Sequence, residues 1–289
     1  MLVNLATILS AAAEGGYSAA CFNVFGWEDA RAVVLAAEET GAPVILAASL
    51  DFRREMPLEL ICRMLRTLAE RTPVPVCAHL DHTDEVDEVL RAIDLGFTSV
   101  MFDGSQLRLE DNVAGTRRVL DYARPRGCSV EAEIGSVPYA QGRTHIRSEL
   151  TSVPEAIRFT EQCAVDALAV SVGNVHRLSA PTAVIDFPRL AQIQAAIEVP
   201  LVIHGTSGIR EDDIVRLSRA CIAKFNIGTV LRQAFGRGLR QTLERHPGCF
   251  DRLEIMSAVI PVMAREAARM IRLLGWRAND PARPAIASG

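Results

Sequence analysis

The chain has 289 residues, of which 49% are hydrophobic, enough for one large α/β domain or two small ones. Its formal net charge of −4 carries no basic excess, so a nucleic-acid partner is not expected. Residues 1–10 lack the pattern of a signal peptide, and no uncharged run approaches the roughly 18 residues of a membrane span, so no membrane partner is expected either.

The seven cysteines are scattered along the chain, without a CxxC pair and without regular spacing. This pattern is typical of cysteines that serve as small buried hydrophobic side chains in a reducing compartment. We therefore expect the protein to be cytoplasmic.

Short β-branched runs alternate with longer stretches of helical pattern. Eight strands are predicted, at residues 18–24, 44–49, 76–81, 99–102, 129–134, 167–172, 201–204 and 223–227. Helical patterns lie between them, for example at 28–40, 58–71, 83–95, 110–124 and 154–162. Eight strands that are each followed by a helix predict an α/β fold of the (β/α)8 TIM-barrel type. A doubly wound open sheet is the alternative, but its glycine-rich dinucleotide turn is missing.

The region after the last predicted strand carries two further helical patterns, at 230–245 and 253–274. No domain boundary and no repeat is visible, so residues 1–278 are expected to form a single domain with extra C-terminal helices. Residues 279–289 are rich in Pro, Ala and Ser, and we expect this tail to be disordered.

Three histidines stand where predicted strands end: His82, His176 and His204. Their spacing alone carries no signature, but a barrel gathers the carboxyl ends of its strands at one face. Neutral imidazole nitrogens suit Zn²⁺, and a catalytic zinc site keeps one coordination position open. The sequence therefore predicts a catalytic zinc ion on these three residues.

The segment HLDH at 79–82 contains an acid between two histidines, and this acid is the natural candidate for proton transfer. Asp81 directly precedes the predicted ligand His82 and could act as general base or acid. The alternative is that its carboxylate orients an imidazole. His79 lies on the same strand face as Asp81 and is expected either to support the site by a hydrogen bond or to pack in the core.

Two segments with small residues have the pattern of phosphate cradles. They follow the seventh and eighth predicted strands, where TIM barrels commonly bind phosphate at helix N-termini. The candidate ligands of a phosphate are Gly205, Thr206, Ser207, Asn226, Gly228 and Thr229.

Further acids end or line neighbouring strands. Asp103 follows the fourth predicted strand, and Glu131 and Glu133 alternate on the fifth, so these two share a face. Asp103 and Glu133 are candidates for a second metal site. Support of the first metal's ligands and structural salt bridging are the alternatives.

Taken together, these motifs resemble the class II, metal-dependent ketose-bisphosphate aldolases, including fructose- and tagatose-bisphosphate aldolases. The matching segments occur in the family's order and cover most of residues 5–245. They are FNV at 22–24, HLDH at 79–82, SVMFDGS at 99–105, VEAEIG at 130–135, DALA at 166–169, HGTSG at 204–208 and KFNI at 224–227.

The resemblance implies a TIM barrel, zinc on the three histidines and proton transfer by Asp81. It implies that the phosphate of dihydroxyacetone phosphate lies against Gly205, Ser207, Asn226 and Thr229. It further implies an amide and a hydroxyl near the substrate, at Asn23 and Ser49, and a homodimer or homotetramer.

The chain departs from the family pattern at two places. The family has a glycine after the second histidine ligand, which helps to hold phosphate or a monovalent cation, and here that residue is Arg177. This arginine could pair with a phosphate or carboxylate, or it could block the pocket. The family also has a mobile loop with an acid that assists proton exchange. Here the acid pair is absent, and the loop offers Tyr139, Arg143, His145, Arg147 and Glu149.

Three functions follow from these observations. The leading hypothesis is zinc-dependent aldol cleavage of a ketose (bis)phosphate, or of an atypical deoxy or acidic sugar phosphate met by Arg143 or Arg147. A Schiff-base enzyme would use Lys224, the only lysine in the chain. A non-catalytic sugar-phosphate binder or accessory subunit is suggested by the missing loop acids.

Overall fold

A closed ring of eight parallel strands forms the centre of the computed structural model, which describes residues 1–141 and 145–277. Each barrel strand pairs with the next along the chain, and the last pairs with the first. A short first strand lies outside the ring and pairs with β4. The strands are β1 (Leu2–Val3), β2 (Ala19–Val24), β3 (Val44–Ala48), β4 (Val76–Thr83), β5 (Ser99–Phe102), β6 (Ser129–Ile134), β7 (Ala167–Val170), β8 (Leu201–Ile203) and β9 (Lys224–Ile227).

Helices cover the outside of this ring and close one end of it. They are α1 (Leu5–Gly15), α2 (Trp27–Thr40), α3 (Leu50–Glu55), α4 (Leu58–Glu70), α5 (Val86–Leu95), α6 (Leu109–Ala123), α7 (Val153–Gln162), α8 (Phe187–Ala196), α9 (Glu211–Arg219), α10 (Thr229–Arg245) and α11 (Arg252–Leu273). The predicted TIM barrel with extra C-terminal helices is confirmed, and the doubly wound sheet is excluded.

The amino-terminal end of the barrel is filled by apolar side chains. Leu5 and Ile8 of α1 are fully buried and cluster with Ile45, Cys77 and Val202 from inside the ring. Because this end is closed by packing, the polar interior residues are left to form a site at the carboxyl ends of the strands.

The C-terminal helices pack back onto the barrel. α11 lies along α2 and α10 and buries Met263, Ala267 and Ile271. None of the helices within 1–141 and 145–277 is long and apolar enough to cross a membrane. The predicted domain end at 278 and the tail 279–289 lie outside the described residues.

Candidate active site

An open cleft lies at the carboxyl ends of the barrel strands. The cleft is lined by every residue predicted to act in catalysis, to bind the catalytic zinc ion or to bind phosphate. The candidates for a second metal site, Asp103 and Glu133, line a neighbouring pocket instead. The predicted residues in the cleft are Asn23, Ser49, Asp81, His82, His176, Arg177, His204, Gly205, Thr206, Ser207, Asn226, Gly228 and Thr229. Residues that sequence reasoning did not assign to the site also line it, among them Phe25, Asp51, Tyr139 and Arg232.

The three histidines present their ring nitrogens to a common point. One nitrogen from each of His82, His176 and His204 lies within 4.8 Å of the others. Nε2 of His82 is 2.8 Å from Nδ1 of His204, and the buried Nε2 of His176 has no hydrogen-bond partner among the described residues. A buried polar atom without a partner is unfavourable unless a ligand satisfies it. The arrangement therefore fits a metal ion with nitrogen ligands.

An irregularity at the end of β4 allows two consecutive residues to face the cleft. In a regular strand, neighbouring side chains point to opposite faces, so Asp81 and His82 could not both reach the same site. Here the pairing with β5 shifts register between Leu80 and Thr83, and His82 has a φ of 44°. Such bulges redirect side chains next to active sites.

Carboxylates hold two of the imidazoles from behind. Nδ1 of His82 lies 2.8 Å from Oδ2 of Asp103, and Nε2 of His204 lies 3.0 Å from Oε1 of Glu131. In each ring the other nitrogen faces the histidine cluster. Carboxylates in this position fix the tautomer and orientation of metal-ligating histidines. Asp103 and Glu131 therefore support the cluster.

A second group of possible ligands contains His82, Asp103 and Glu133, whose atoms also lie within 4.8 Å of one another. Oε2 of Glu133 is buried, has no hydrogen-bond partner in the part of the chain that the structure describes, and lies 3.9 Å from Nδ1 of His82. Burial, together with the Asp103 carboxylate, raises the pKa of Glu133 to about 8. Three roles were predicted for these acids: a second metal site, support of the first metal's ligands and structural salt bridging. The contact of Asp103 with His82 fits the support of a ligand, and the unpartnered oxygen of Glu133 fits a second cation.

Asp81 is held in the cleft by two amide side chains. Nδ2 of Asn23 donates to Oδ2 at 2.7 Å, and Nδ2 of Asn226 donates to Oδ1 at 2.9 Å. Burial raises the pKa of the Asp81 carboxyl, but the imidazoles of His82 and His204 outweigh it and hold this pKa well below its usual range. The group is thus an ionised, oriented carboxylate, as a general base requires.

The only lysine lies beneath the cleft rather than in it. Lys224 is fully buried, and its Nζ donates to Oε2 of Glu131 at 2.5 Å. Burial lowers the pKa of this ammonium group, but the effect of the Glu131 carboxylate is stronger. The pKa of Lys224 is therefore raised, and the lysine stays protonated. Nε2 of His79 lies 3.9 Å from the same carboxylate, and its Nδ1 lies 2.8 Å from the Ser99 hydroxyl. His79 belongs to this buried network and does not line the cleft.

The two phosphate-cradle segments are joined to each other. The hydroxyl of Thr206 donates to the carbonyl of Asn226 at 2.8 Å, so it links the loops after β8 and β9. Gly205 has a φ of 70°, and a Cβ there would collide with the carbonyl of Val175. Gly228 precedes the first turn of α10 and makes no side-chain cap, which leaves the helix's first amides open to a ligand.

Arg177 occupies a backbone conformation that favours glycine. Its φ of 58° lies in the left-handed region, which explains why the resembled family has glycine there. The guanidinium lines the cleft and donates to Oδ2 of Asp51 at 2.5 Å, and Arg232 donates to the same oxygen at 3.2 Å. Asp51 and Arg232 had only weak sequence signals, namely their positions two residues after Ser49 and three residues after Thr229.

The residues of the altered loop separate in space. Tyr139 lines the cleft, whereas Arg147 and Glu149 pair with each other 3.0 Å apart and line a different pocket. His145 is exposed. Arg143 lies outside the described residues.

Fold and site together define an enzyme of the TIM-barrel class with a histidine cluster suited to metal. The family model for class II fructose-bisphosphate aldolase matches residues 3–279. The chain therefore belongs to the class II fructose-bisphosphate aldolase family, whose members are generally metal-dependent, and it is an aldolase, a carbon–carbon lyase.

Two solved structures illustrate this relationship. The YdjI aldolase from Escherichia coli K12 superposes with a TM-score of 0.84 at 30% identity, over 96% of this chain and 98% of that one. The fructose-bisphosphate aldolase from Campylobacter jejuni superposes with a TM-score of 0.82 at 21% identity, over 96% of this chain and 97% of that one. At this lower identity the second likeness concerns the fold.

Proposed function

We propose that the protein is a zinc-dependent aldolase that reversibly cleaves a ketose (bis)phosphate into dihydroxyacetone phosphate and an aldehyde. The observation that carries this proposal is the convergence of three imidazole nitrogens within 4.8 Å in the cleft that also holds the ionised Asp81. The joined cradles after β8 and β9 supply a place for phosphate in the same cleft.

His82, His176 and His204 would hold the zinc ion, which when bound supplies Lewis-acid polarisation of the substrate carbonyl. The phosphate of the ketone half is assigned to the backbone amides of Gly205 and Ser207 and of the first turn of α10, with Asn226, Gly228 and Thr229 beside them. Small residues and an uncapped helix start suit this role.

Asp81 takes the proton of the substrate's C4 hydroxyl. The amides of Asn23 and Asn226 bind both carboxylate oxygens, so they keep the base ionised and limit its rotation. As the C4 oxygen becomes a carbonyl, the C3–C4 bond breaks and its electron pair stays on C3 of the ketone half.

The charges in the cleft bear on the chemical nature of the substrate. Arg177 and Arg232 share one carboxylate oxygen of Asp51, so the trio carries one excess positive charge. This favours a substrate with anionic groups, which includes fructose 1,6-bisphosphate, tagatose 1,6-bisphosphate and acidic or deoxy sugar phosphates. Arg147 does not line this cleft, which weakens the hypothesis that it meets the aldehyde half.

Release of dihydroxyacetone phosphate from a panel of ketose phosphates tests the proposal. The assay is run before chelation, after chelation and after zinc is added back. Release that chelation abolishes and zinc restores is expected, and it would also rank the substrates. Release that survives chelation would contradict zinc dependence, and no release from any sugar would favour a binding role or another aldehyde.

The two competing functions are less well supported. A Schiff base needs a neutral, accessible lysine, whereas Lys224 is fully buried and paired with Glu131. Borohydride trapping with substrate would label Lys224 if that mechanism operated. A non-catalytic binder would have no need for a base held as firmly as Asp81.

We also propose that the protein forms a homodimer or homotetramer and acts in the cytoplasm. Phe250, just before α11, and Leu253, in its first turn, are 94% and 76% exposed, which supports an apolar contact between copies. Seven free cysteines, five of them buried, are compatible with a reducing compartment. Size-exclusion chromatography coupled to light scattering measures the molar mass in solution, and the mass of a monomer would contradict the proposed assembly.

A further inference from the structure

Two backbone hydrogen bonds hold the segment after β6 against His176. The N–H of His176 donates to the carbonyl of Pro138 at 2.8 Å, and the N–H of Ala140 donates to the carbonyl of His176 at 3.0 Å. These bonds form a parallel bridge between Tyr139 and His176. The backbone of Tyr139 is therefore anchored to the metal-binding cluster.

The side chain of Tyr139 lies in the same cleft as the proposed base. Its ring stacks on the His176 imidazole, with the centroids 4.4 Å apart and an interplanar angle of 21°. The Arg177 guanidinium lies 5.5 Å from the centroid of the tyrosine ring. The half-buried ring thus has a defined position and lines the cleft together with Asp81.

Aldol cleavage needs a proton donor besides the base. When the C3–C4 bond breaks, the electron pair left on C3 must receive a proton, while Asp81 has just taken one from the C4 hydroxyl. Among the described side chains that line the cleft, the imidazoles are assigned to the metal, and guanidinium groups do not release protons in proteins. The Asp51 carboxylate is bound by two arginines, and the Thr206 hydroxyl is bound to the Asn226 carbonyl. A phenol is an effective general acid, and far more acidic than the remaining aliphatic hydroxyls.

We propose that Tyr139 is a catalytic residue that delivers the proton to C3 of the ketone half after carbon–carbon cleavage and removes it in the synthetic direction. This rests on the proposed function. In cleavage the phenol O–H bond breaks, and a C3–H bond forms with the electron pair of the former C3–C4 bond. The tyrosinate regains a proton from water, and Asp81 releases the hydroxyl proton to water, so the cycle balances.

Exchange of a hydrogen on the hydroxymethyl carbon of dihydroxyacetone phosphate, which is the former C3 of the ketose, with deuterium from D₂O isolates this step, because it requires no aldehyde. The zinc-loaded wild type is compared with Tyr139→Phe, which keeps the stacked ring but lacks the hydroxyl. Exchange by the variant is expected to fall by about 100-fold or more, with unchanged zinc content. Tyr122→Phe, which removes a phenol bound to Asp94 on the surface, is the matched control and should exchange as the wild type does.

A second assay separates protonation from bond cleavage. Two hexacyanoferrate(III) ions, each reduced by one electron, take the electron pair from C3 and so replace the proton donor. C3 with its hydroxyl then becomes an aldehyde, and the hydroxyl proton goes to water. With it, aldehyde release from a cleaved ketose phosphate by Tyr139→Phe should return to within a few-fold of the wild-type rate. This rescue also shows that the variant is folded and cleaves the C3–C4 bond.

Each outcome decides a different question. Wild-type exchange that persists undiminished in Tyr139→Phe overturns the role of Tyr139 and leaves the proposed function intact. A defect that the oxidant does not rescue places the hydroxyl before bond cleavage and also overturns the role. Absence of exchange in the zinc-loaded wild type contradicts the proposed function itself, and the role of Tyr139 falls with it.

Discussion

At the scale of single residues, the charge of Asp81 depends on its neighbours. Its carboxylate is buried, yet two amides bind its oxygens and nearby imidazoles favour the ionised form. Asp81→Asn removes the base while keeping the size of the side chain. We expect cleavage to slow by about 10²- to 10⁴-fold with zinc content unchanged. Rate and metal content are measured on the same samples.

The control for this variant is Asp87→Asn, on the exposed surface of α5. It should cleave at the wild-type rate. Full activity of Asp81→Asn would show that Asp81 only orients an imidazole.

Glu131 links the histidine cluster to the buried lysine. Because its carboxylate lies 3.0 Å from Nε2 of His204, Glu131→Gln is expected to weaken zinc binding by about 10- to 100-fold. Zinc affinity is measured by competition with a chelating dye. The substitution also leaves Lys224 unpaired, so it is made together with Lys224→Met.

Lys224→Met alone is the comparison for this pair, because it breaks the ion pair and leaves the carboxylate beside His204. Its zinc affinity should stay close to that of the wild type. Equal affinities of the single and the double variant would mean that Glu131 does not orient His204.

The residues that the sequence did not place in the site share a physical property. Asp51 and Arg232 reach the cleft only because α3 and the first turn of α10 converge on its mouth, and no local pattern encodes that meeting. The histidines and Asp81 were predictable, since strand ends of a barrel must meet at one face. Bulge geometry at His82 and the left-handed backbone at Arg177 carry no residue signal of their own.

At the scale of elements, all eight barrel strands were predicted, whereas β1, α1 and α3 were not. The sequence does carry a signal for α1, because its buried residues Leu5, Ile8, Leu9 and Ala12 have helical spacing. α3 has six residues with a single buried side chain, too short for any periodicity. A helix this short is stabilised by its tertiary contacts and not by its own sequence.

One of these contacts comes from Arg53 of α3. Its guanidinium donates to the carbonyls of Ala48, Asp81 and His82, and it pairs with Glu88 at 3.0 Å. The side chain is only 3% exposed, so it supports the irregular end of β4 from behind. Because buried carbonyls would lose their donors, Arg53→Met is expected to lower the free energy of unfolding by roughly 2–4 kcal/mol.

Urea unfolding measures this loss, and Arg54→Met, at the exposed neighbouring position, should change stability by less than about 0.5 kcal/mol. The same Arg53 variant should also cleave more slowly, since Asp81 and His82 lie on the supported segment. Equal stability of the two variants would mean that the backbone of β4 holds its bulge without help.

At the scale of the whole molecule, the barrel divides into two ends with different tasks. An apolar cluster under α1 closes one end, and charged and amide groups fill the other. The sequence predicted this division through the alternation of strands and helices. It could not predict the sharing of Asp51 by two arginines or the route of the loop that carries Tyr139, because both depend on the packing of distant segments.

The pH dependence of overall stability should carry a contribution from Asp29, on α2 beside the cleft. Burial raises the pKa of Asp29, and the hydrogen bond from the Phe25 N–H lowers it. Burial is the stronger effect, so the pKa rises from 3.8 to about 6. Between these values the folded protein binds more protons than the unfolded chain, so the free energy of unfolding falls as pH rises. The two pKa values bound this loss at about 3 kcal/mol, and partial exposure of the carboxyl reduces it.

Urea unfolding at about pH 4 and about pH 7 therefore compares the wild type with Asp29→Asn, in which this titration is absent. The wild type should lose more stability across the interval than the variant, by roughly 1–3 kcal/mol. The contributions of the other titrating groups to the change in stability cancel in this comparison, because both proteins share those groups. If the variant loses as much as the wild type, the pKa of Asp29 is not raised in the folded protein, and the burial of its carboxyl is compensated by Arg232.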